Sequence, residues 1–141
     1  ISTSTIKQQV QRMMFAEKLM TAAASVLPEN KTYLSEDSLV PDFRVDAERH
    51  AEEQSPKEAC GVVMDGRYWR CRNIADNPEQ DFILNPRDYA VAALYGTVEA
   101  IVHSHPQGGP ASKADLASCK QTNLPWHIYL IPSQKWLTIN P

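Results

Sequence analysis

Two histidines separated by a single residue, His103 and His105, stand where the apolar run Val98-Glu99-Ala100-Ile101-Val102 gives way to Pro106 and the glycine-bearing segment Gln107-Gly108-Gly109-Pro110-Ala111. At the end of a strand, residues i and i+2 point to the same face, so the two imidazoles can hold one divalent metal. Zinc suits nitrogen ligands in a tetrahedral arrangement, and a third ligand must then come from elsewhere in the chain. The glycine-bearing turn lets the chain fold back, and Asp115, in the first turn of a helix that Ser112 can cap, is placed to supply it. Three protein ligands leave the fourth position for water, the open arrangement of a catalytic zinc rather than a structural one. Such a water needs a general base within hydrogen-bond reach, and the upstream candidate is Glu58, at the start of an otherwise apolar run that ends at Met64. A carboxylate beside that run is costly unless something compensates it, and a bound metal would do so.

Taken singly, each feature has an ordinary account. His-x-His is often a pair of surface histidines, Ser112-x-x-Asp115 is a normal helix N-terminus, and Glu58 can be a solvated strand end. Their order along these elements is better explained by one metal site.

The elements that must position these residues follow from periodicity and breakers. Residues 1–27 carry Ile6, Val10, Met13, Met14, Met20, Ala24 and Leu27 on three- and four-residue steps, which predicts an amphipathic helix ended at Leu27-Pro28. Residues 28–44, bracketed by Pro28 and Pro41, read as a linker or irregular surface segment, and a short helix from Val45 to Gln54 follows. A strand pair, Glu58 to Met64 and Arg67 to Cys71, is joined by the hairpin turn Asp65-Gly66. Phe82-Ile83-Leu84 suggests another strand, and Asn85-Pro86 opens a helix that Gly96 closes. A buried strand from Val98 to His103, a helix from Ser112 to Thr122, and two strands, Trp126 to Ile131 and Lys135 to Ile139, complete the pattern. The order predicts an α/β chain of the layered α+β kind, with a mixed sheet flanked by helices. The expected organisation is a helical extension and linker over residues 1–44 and one domain over residues 45–141.

Composition narrows the function classes. The 141 residues are 43% apolar and 22% charged, which describes a globular chain. With 14 basic against 17 acidic side chains, no basic excess marks out a phosphate-binding face, so nucleic acid is not an expected partner. No apolar run approaches the ~20 residues of a membrane-spanning helix. The three cysteines, Cys60, Cys71 and Cys119, form neither a C-x-x-C pair nor a paired framework, which suits a reducing compartment. Cys60 reads as a buried thiol, His127 as a strand histidine, and Trp69, Trp126 and Trp136 as core and sheet-surface residues.

Glu58, then His103-Ser104-His105-Pro106, then Ser112-x-x-Asp115 resembles the JAMM (MPN+) zinc metalloprotease signature. The flanking text Lys57-Glu58-Ala59-Cys60-Gly61-Val62-Val63, Cys71-Arg72-Asn73-Ile74-Ala75-Asp76 and Leu124-Pro125-Trp126-His127-Ile128 looks like the N-terminal JAMM domain of the tail assembly protein K family of lambda-like phages, over roughly residues 45–141. The resemblance implies the MPN/JAMM, cytidine-deaminase-like fold, with His103, His105 and Asp115 as zinc ligands and Glu58 as the base acting on the zinc water. It implies that Ser112 helps stabilise the tetrahedral oxyanion. It further implies hydrolysis of amide or isopeptide bonds, typically beside glycine, in a phage or prophage protein of the bacterial cytoplasm. Its partners would be a protein or peptide substrate and phage tail components. A C-terminal NlpC-type cysteine-peptidase domain is expected in the longer protein, of which this chain reads as a fragment or a truncated version. The family usually places one residue more between the second histidine and the serine than the six found here, Pro106 to Ala111. Gly108 and Gly109 are expected to absorb the difference through positive φ. The alternative is a loop too tight for Asp115 to reach the metal, in a catalytically inert MPN-fold scaffold that docks tail components. A zinc nucleobase deaminase is set aside, because it needs His-x-Glu followed by Pro-Cys-x-x-Cys, and His103-Ser104-His105 ends in histidine with no such cysteine pair after it.

Overall fold

The computed structural model describes residues 42–141. The helix predicted over residues 1–27, and the predicted linker up to residue 41, lie outside the described residues. Helix α1 spans Phe43–Gln54 and begins two residues ahead of its expected start, because the Asp42 side chain accepts a hydrogen bond from Arg44 N at 3.0 Å and caps it there. Strands β1 (Cys60–Met64) and β2 (Arg67–Cys71) follow, then helix α2 (Pro86–Tyr95), strand β3 (Val98–His105), helix α3 (Lys113–Thr122) and strands β4 (Trp126–Leu130) and β5 (Lys135–Ile139). The five strands form one mixed sheet in the order β2-β1-β3-β4-β5. Only β3 and β4 run parallel; the other neighbours are antiparallel.

Helices cover both faces. On one side Cys60, Val62 and Met64 of β1 pack with Trp69, Val91, Ala92, Ile101 and Trp126, beneath α2 and α3. On the other side Val63, Tyr68, Ala100 and Val102 pack against Ala47 of α1. A strand buried on both faces has no polar side to show, so β1 reads as an unbroken apolar run rather than an alternating one. The β1–β2 hairpin turns on Asp65 and Gly66, both at positive φ (50° and 80°), the conformation that makes Asp-Gly a strong turn signal. Polar side chains pin α1 to the sheet. Arg70 donates to Asp46 at 2.7 Å and to Glu53 at 2.8 Å, and the His50 ring meets the Tyr68 hydroxyl at 2.6 Å.

The predicted strand at Phe82-Ile83-Leu84 is not formed. The segment is irregular, with a single bridge between Asn73 and Leu84, because the Asn73 side-chain oxygen takes the Ile83 N–H at 3.0 Å that a longer ladder would use. Strand β3 is longer than expected and carries both His103 and His105 inside the sheet. Among the described residues no helix is long and apolar enough to cross a membrane.

Candidate metal centre

The site is built by sheet register. Cys60 pairs with His103 across the antiparallel β1–β3 ladder, and Ser104 N donates to Ala59 O at 3.0 Å, so the pairing continues past the end of β1 and sets Glu58 opposite His105. Alternation then puts Glu58, Cys60, His103 and His105 on the same face as α2 and α3. One ligand atom each from Glu58, His103 and His105 lies within 4.8 Å of the others, a group able to hold a metal ion.

Asp115 reaches the same point from the other side. Gly108 and Gly109 adopt φ values of 80° and 88°, and the six-residue loop turns back to Ser112 at the head of α3. There Ser112 Oγ accepts from Asp115 N at 3.0 Å while Ser112 N donates to Asp115 Oδ2 at 2.9 Å, a reciprocal cap that fixes the carboxylate's direction. His103 Nε2 lies 3.3 Å from Asp115 Oδ1, His105 Nε2 lies 3.2 Å from Asp115 Oδ2, and the two Nε2 atoms are 3.3 Å apart. Two imidazole nitrogens and a carboxylate are donors of the type zinc takes, and the 3.3 Å between the Nε2 atoms matches the ~3.3 Å edge of a tetrahedron with zinc–ligand bonds of ~2.0 Å; the two histidines face different Asp115 oxygens, so a single oxygen would have to serve both.

The electrostatics agree with such a use. Burial lowers the pKa of His103 and keeps the ring neutral, the form that binds metals. The hydrogen bond with Asp115 is the largest influence on His105 and raises its pKa against the opposing effect of burial. Burial works to raise the Asp115 carboxyl, but contacts with His103 and His105 outweigh it and hold the group ionised, well below the ordinary carboxylate range. Burial pushes the Glu58 carboxyl up to about 8, with His105 pulling the other way. A buried cluster of two carboxyls and two imidazoles is a place where a divalent cation relieves repulsion between the acids.

Glu58, His105 and Asp115 line a cleft of about 340 Å³ together with Asp81, Phe82, Pro106, Gly109 and Trp126, while His103 is buried beside it. Sequence reasoning missed two of the residues that shape it. Phe82 stacks on the His103 ring at 4.3 Å between centroids and 23° between planes. Asn73 holds the segment that carries Phe82, donating through Nδ2 to Glu58 O and Asp81 O and accepting through Oδ1 from Ala75 N and Ile83 N, all at 3.0 Å. The available signal was an asparagine two residues after a strand and ahead of a polar loop, where its amide imitates backbone groups. His127 lies in β4, bonded to Thr138 Oγ1 at 2.9 Å and stacked near Phe43, away from the cleft, as a strand histidine should be. Cys60, Cys71 and Cys119 are buried free thiols, and burial raises the Cys60 pKa, which removes it as a nucleophile.

A mixed sheet between helices, with a His-x-His strand end facing a capped aspartate, places the chain in one class. The family described as prokaryotic homologs of the JAB domain matches residues 45–138, and the chain belongs to it. Over 97 residues the chain is 46% identical to the Tail tip assembly protein K of Escherichia phage N15, a match covering 65% of this chain and 40% of that protein. The chain therefore spans well under half the length of that relative. The solution structure of a protein from Desulfitobacterium hafniense has the same fold, with a TM-score of 0.56 at 24% identity over 68% of this chain and 76% of the other.

Proposed function

We propose that the chain is a zinc-dependent peptidase or isopeptidase of JAMM type, a hydrolase that acts on a protein or peptide substrate during phage tail assembly in the cytoplasm of the bacterial host. The observation that carries this reading is that ligand atoms of Glu58, His103 and His105 lie within 4.8 Å of one another while Asp115 lies 3.3 and 3.2 Å from the two histidines, beside a cleft that Glu58, His105 and Asp115 line. His103, His105 and Asp115 would hold the metal; Glu58, two residues ahead of β1, is close enough to be a ligand too, and is assigned instead as the base outside the coordination shell. Zinc, when bound, supplies Lewis-acid activation of water and of the scissile carbonyl. With the cation beside it favouring its ionised form, Glu58 would take a proton from the attacking water and pass it to the amide nitrogen that leaves. The Ser112 oxygen already accepts from Asp115 N, so its own O–H remains available to donate toward a developing oxyanion. Tail components as partners are suggested by the name of the phage N15 relative. The alternative is a catalytically inert scaffold that docks tail components; the Asp115 carboxylate 3.2 Å from His105 favours the enzyme reading over it.

The test combines elemental analysis with two variants. The protein purified without added zinc should carry about one zinc per chain, and Asp115→Ala should lose it. Glu58→Gln should keep zinc while turnover of tail-protein peptides, or phage yield in complementation, falls by on the order of 10²–10⁴. Unchanged turnover in Glu58→Gln with zinc in place would reject the catalytic reading, and loss of zinc would move Glu58 into the coordination shell.

A further inference from the structure

We infer that Phe82, backed by Trp126, is the residue that orients His103 for metal binding. The inference rests on the zinc reading proposed above. His103 presents Nε2 to Asp115 and His105, while its other nitrogen, Nδ1, is buried with no hydrogen-bond partner among the described residues. A metal-binding histidine ordinarily has its ring direction and tautomer fixed by a hydrogen bond from that second nitrogen to a carboxylate, a carbonyl or water. His103 lacks such a protein partner, yet its ring is fully buried and must be held by something.

What surrounds it is aromatic. Phe82 lies nearly parallel to the imidazole at 4.3 Å, and Trp126 meets it edge-on at 5.4 Å and 81°. Phe82 and Trp126 contact each other at 5.4 Å, which closes the box. Stacked and edge-to-face contacts prefer particular geometries, so two of them from different directions leave the ring little rotation about its side-chain bonds. The Phe82 side of the box is itself braced. Asn73 bonds on both sides of Phe82, to Asp81 O and Ile83 N, and the same amide group donates to Glu58 O, while Glu58 N donates to Pro78 O at 2.7 Å. One segment thus sets both the ring of His103 and the backbone of Glu58. Phe82 is a positioning residue, acting on the metal through His103.

The test is zinc affinity of the full chain, measured by competition with a chromophoric chelator. Phe82→Leu keeps apolar bulk and loses the stack, and should weaken zinc binding by roughly 10–100-fold. Phe82→Tyr should restore affinity close to wild type. Val63→Ala, a core truncation on the opposite face of the sheet, should lower the melting temperature and leave zinc affinity unchanged. Equal zinc affinity in Phe82→Leu and wild type overturns the inference while leaving the metal site intact. A wild-type chain that binds no zinc defeats the metal reading and the inference with it. Should Phe82→Leu fail to fold, proton NMR of metal-free wild type decides. The His103 ring protons should be shifted upfield by the Phe82 ring and should give one sharp set, and unshifted or averaged signals overturn the assignment.

Discussion

Acid should loosen helix α1 through a single residue, His50. The ring is 6% exposed, lies on the buried face of α1, and is bonded through Nδ1 to the Tyr68 hydroxyl at 2.6 Å. Burial is the main influence on it and Arg70 adds to the effect, while Asp46 and Glu53 oppose; together they lower its pKa from 6.5 to about 4. The unfolded chain therefore binds a proton that the folded chain refuses between pH 6.5 and pH 4, and stability falls as the pH drops through that window. At 1.36 kcal/mol per pH unit the full loss is about 3 kcal/mol below pH 4, of which about 2 kcal/mol is felt by pH 5. That is a large part of the 5–15 kcal/mol that holds a typical domain.

Other groups titrate in the same range, so the measurement must be a difference. His50→Gln keeps a side chain that can hydrogen-bond the Tyr68 hydroxyl and removes the titration. It should cost about 1 kcal/mol at pH 7 through poorer packing and a weaker bond. Urea unfolding of both proteins from pH 7.5 to pH 4.5 should show wild type losing its advantage and falling below the variant as the pH drops. Curves that stay parallel across this range would refute the argument, since they would mean that His50 takes up its proton in the folded protein as readily as in the unfolded one.

Three further outcomes follow from the packing and the site. Gly61→Ala should destabilise by roughly 2–3 kcal/mol in urea unfolding, because a Cβ there would overlap the Trp69 carbonyl oxygen and the Tyr68 ring. Asn73→Ala removes five hydrogen bonds that organise the segment under Phe82, and should speed amide exchange at Ala75 and Ile83 by an amount equivalent to about 2 kcal/mol, with little change at β4. Free zinc at a hundred times its dissociation constant should stabilise wild type by about 2.7 kcal/mol in a thermal melt, and Asp115→Ala should abolish that increment.

The parts of the fold that local chemistry dictates were legible. Asp65-Gly66 announced its hairpin, Asn85-Pro86 and Ser112 announced the starts of α2 and α3, and the i, i+2 spacing of His103 and His105 put both rings on one face. What escaped depends on partners distant in sequence. Nothing near Glu58 says that β1 pairs with β3 in the register that sets it opposite His105; a carboxylate beside an apolar run marked the residue, and the family resemblance gave it a role, but neither gave the pairing. Phe82 was assigned to a strand because three apolar residues in a row suit one, and the competing bond from Asn73 to Ile83 N decides otherwise. The partners of the buried carboxylates Asp46 and Asp88, Arg70 at 2.7 Å and the exposed Arg72 at 2.9 Å, were likewise invisible, since a charged residue gives no local sign that a partner will come from another element.

Asp115 shows why the candidate site was more legible than the fold around it. Its carboxylate accepts from Ser112 N and faces both histidines, so the group that begins α3 is also the group brought against the His-x-His pair. The cap is a four-residue signal readable without any tertiary knowledge. Because the cap fixes the carboxylate's direction, helix initiation and site assembly are one event on this side of the cleft. A loop one residue shorter than is usual in the family is then no obstacle. The two glycines need only deliver Ser112 to the right place, and the helix that starts there carries Asp115 to the histidines. The His103 side has no such local code. Its ring direction depends on Phe82 and Trp126, brought together from a loop and a parallel strand, and only the folded sheet can assemble them.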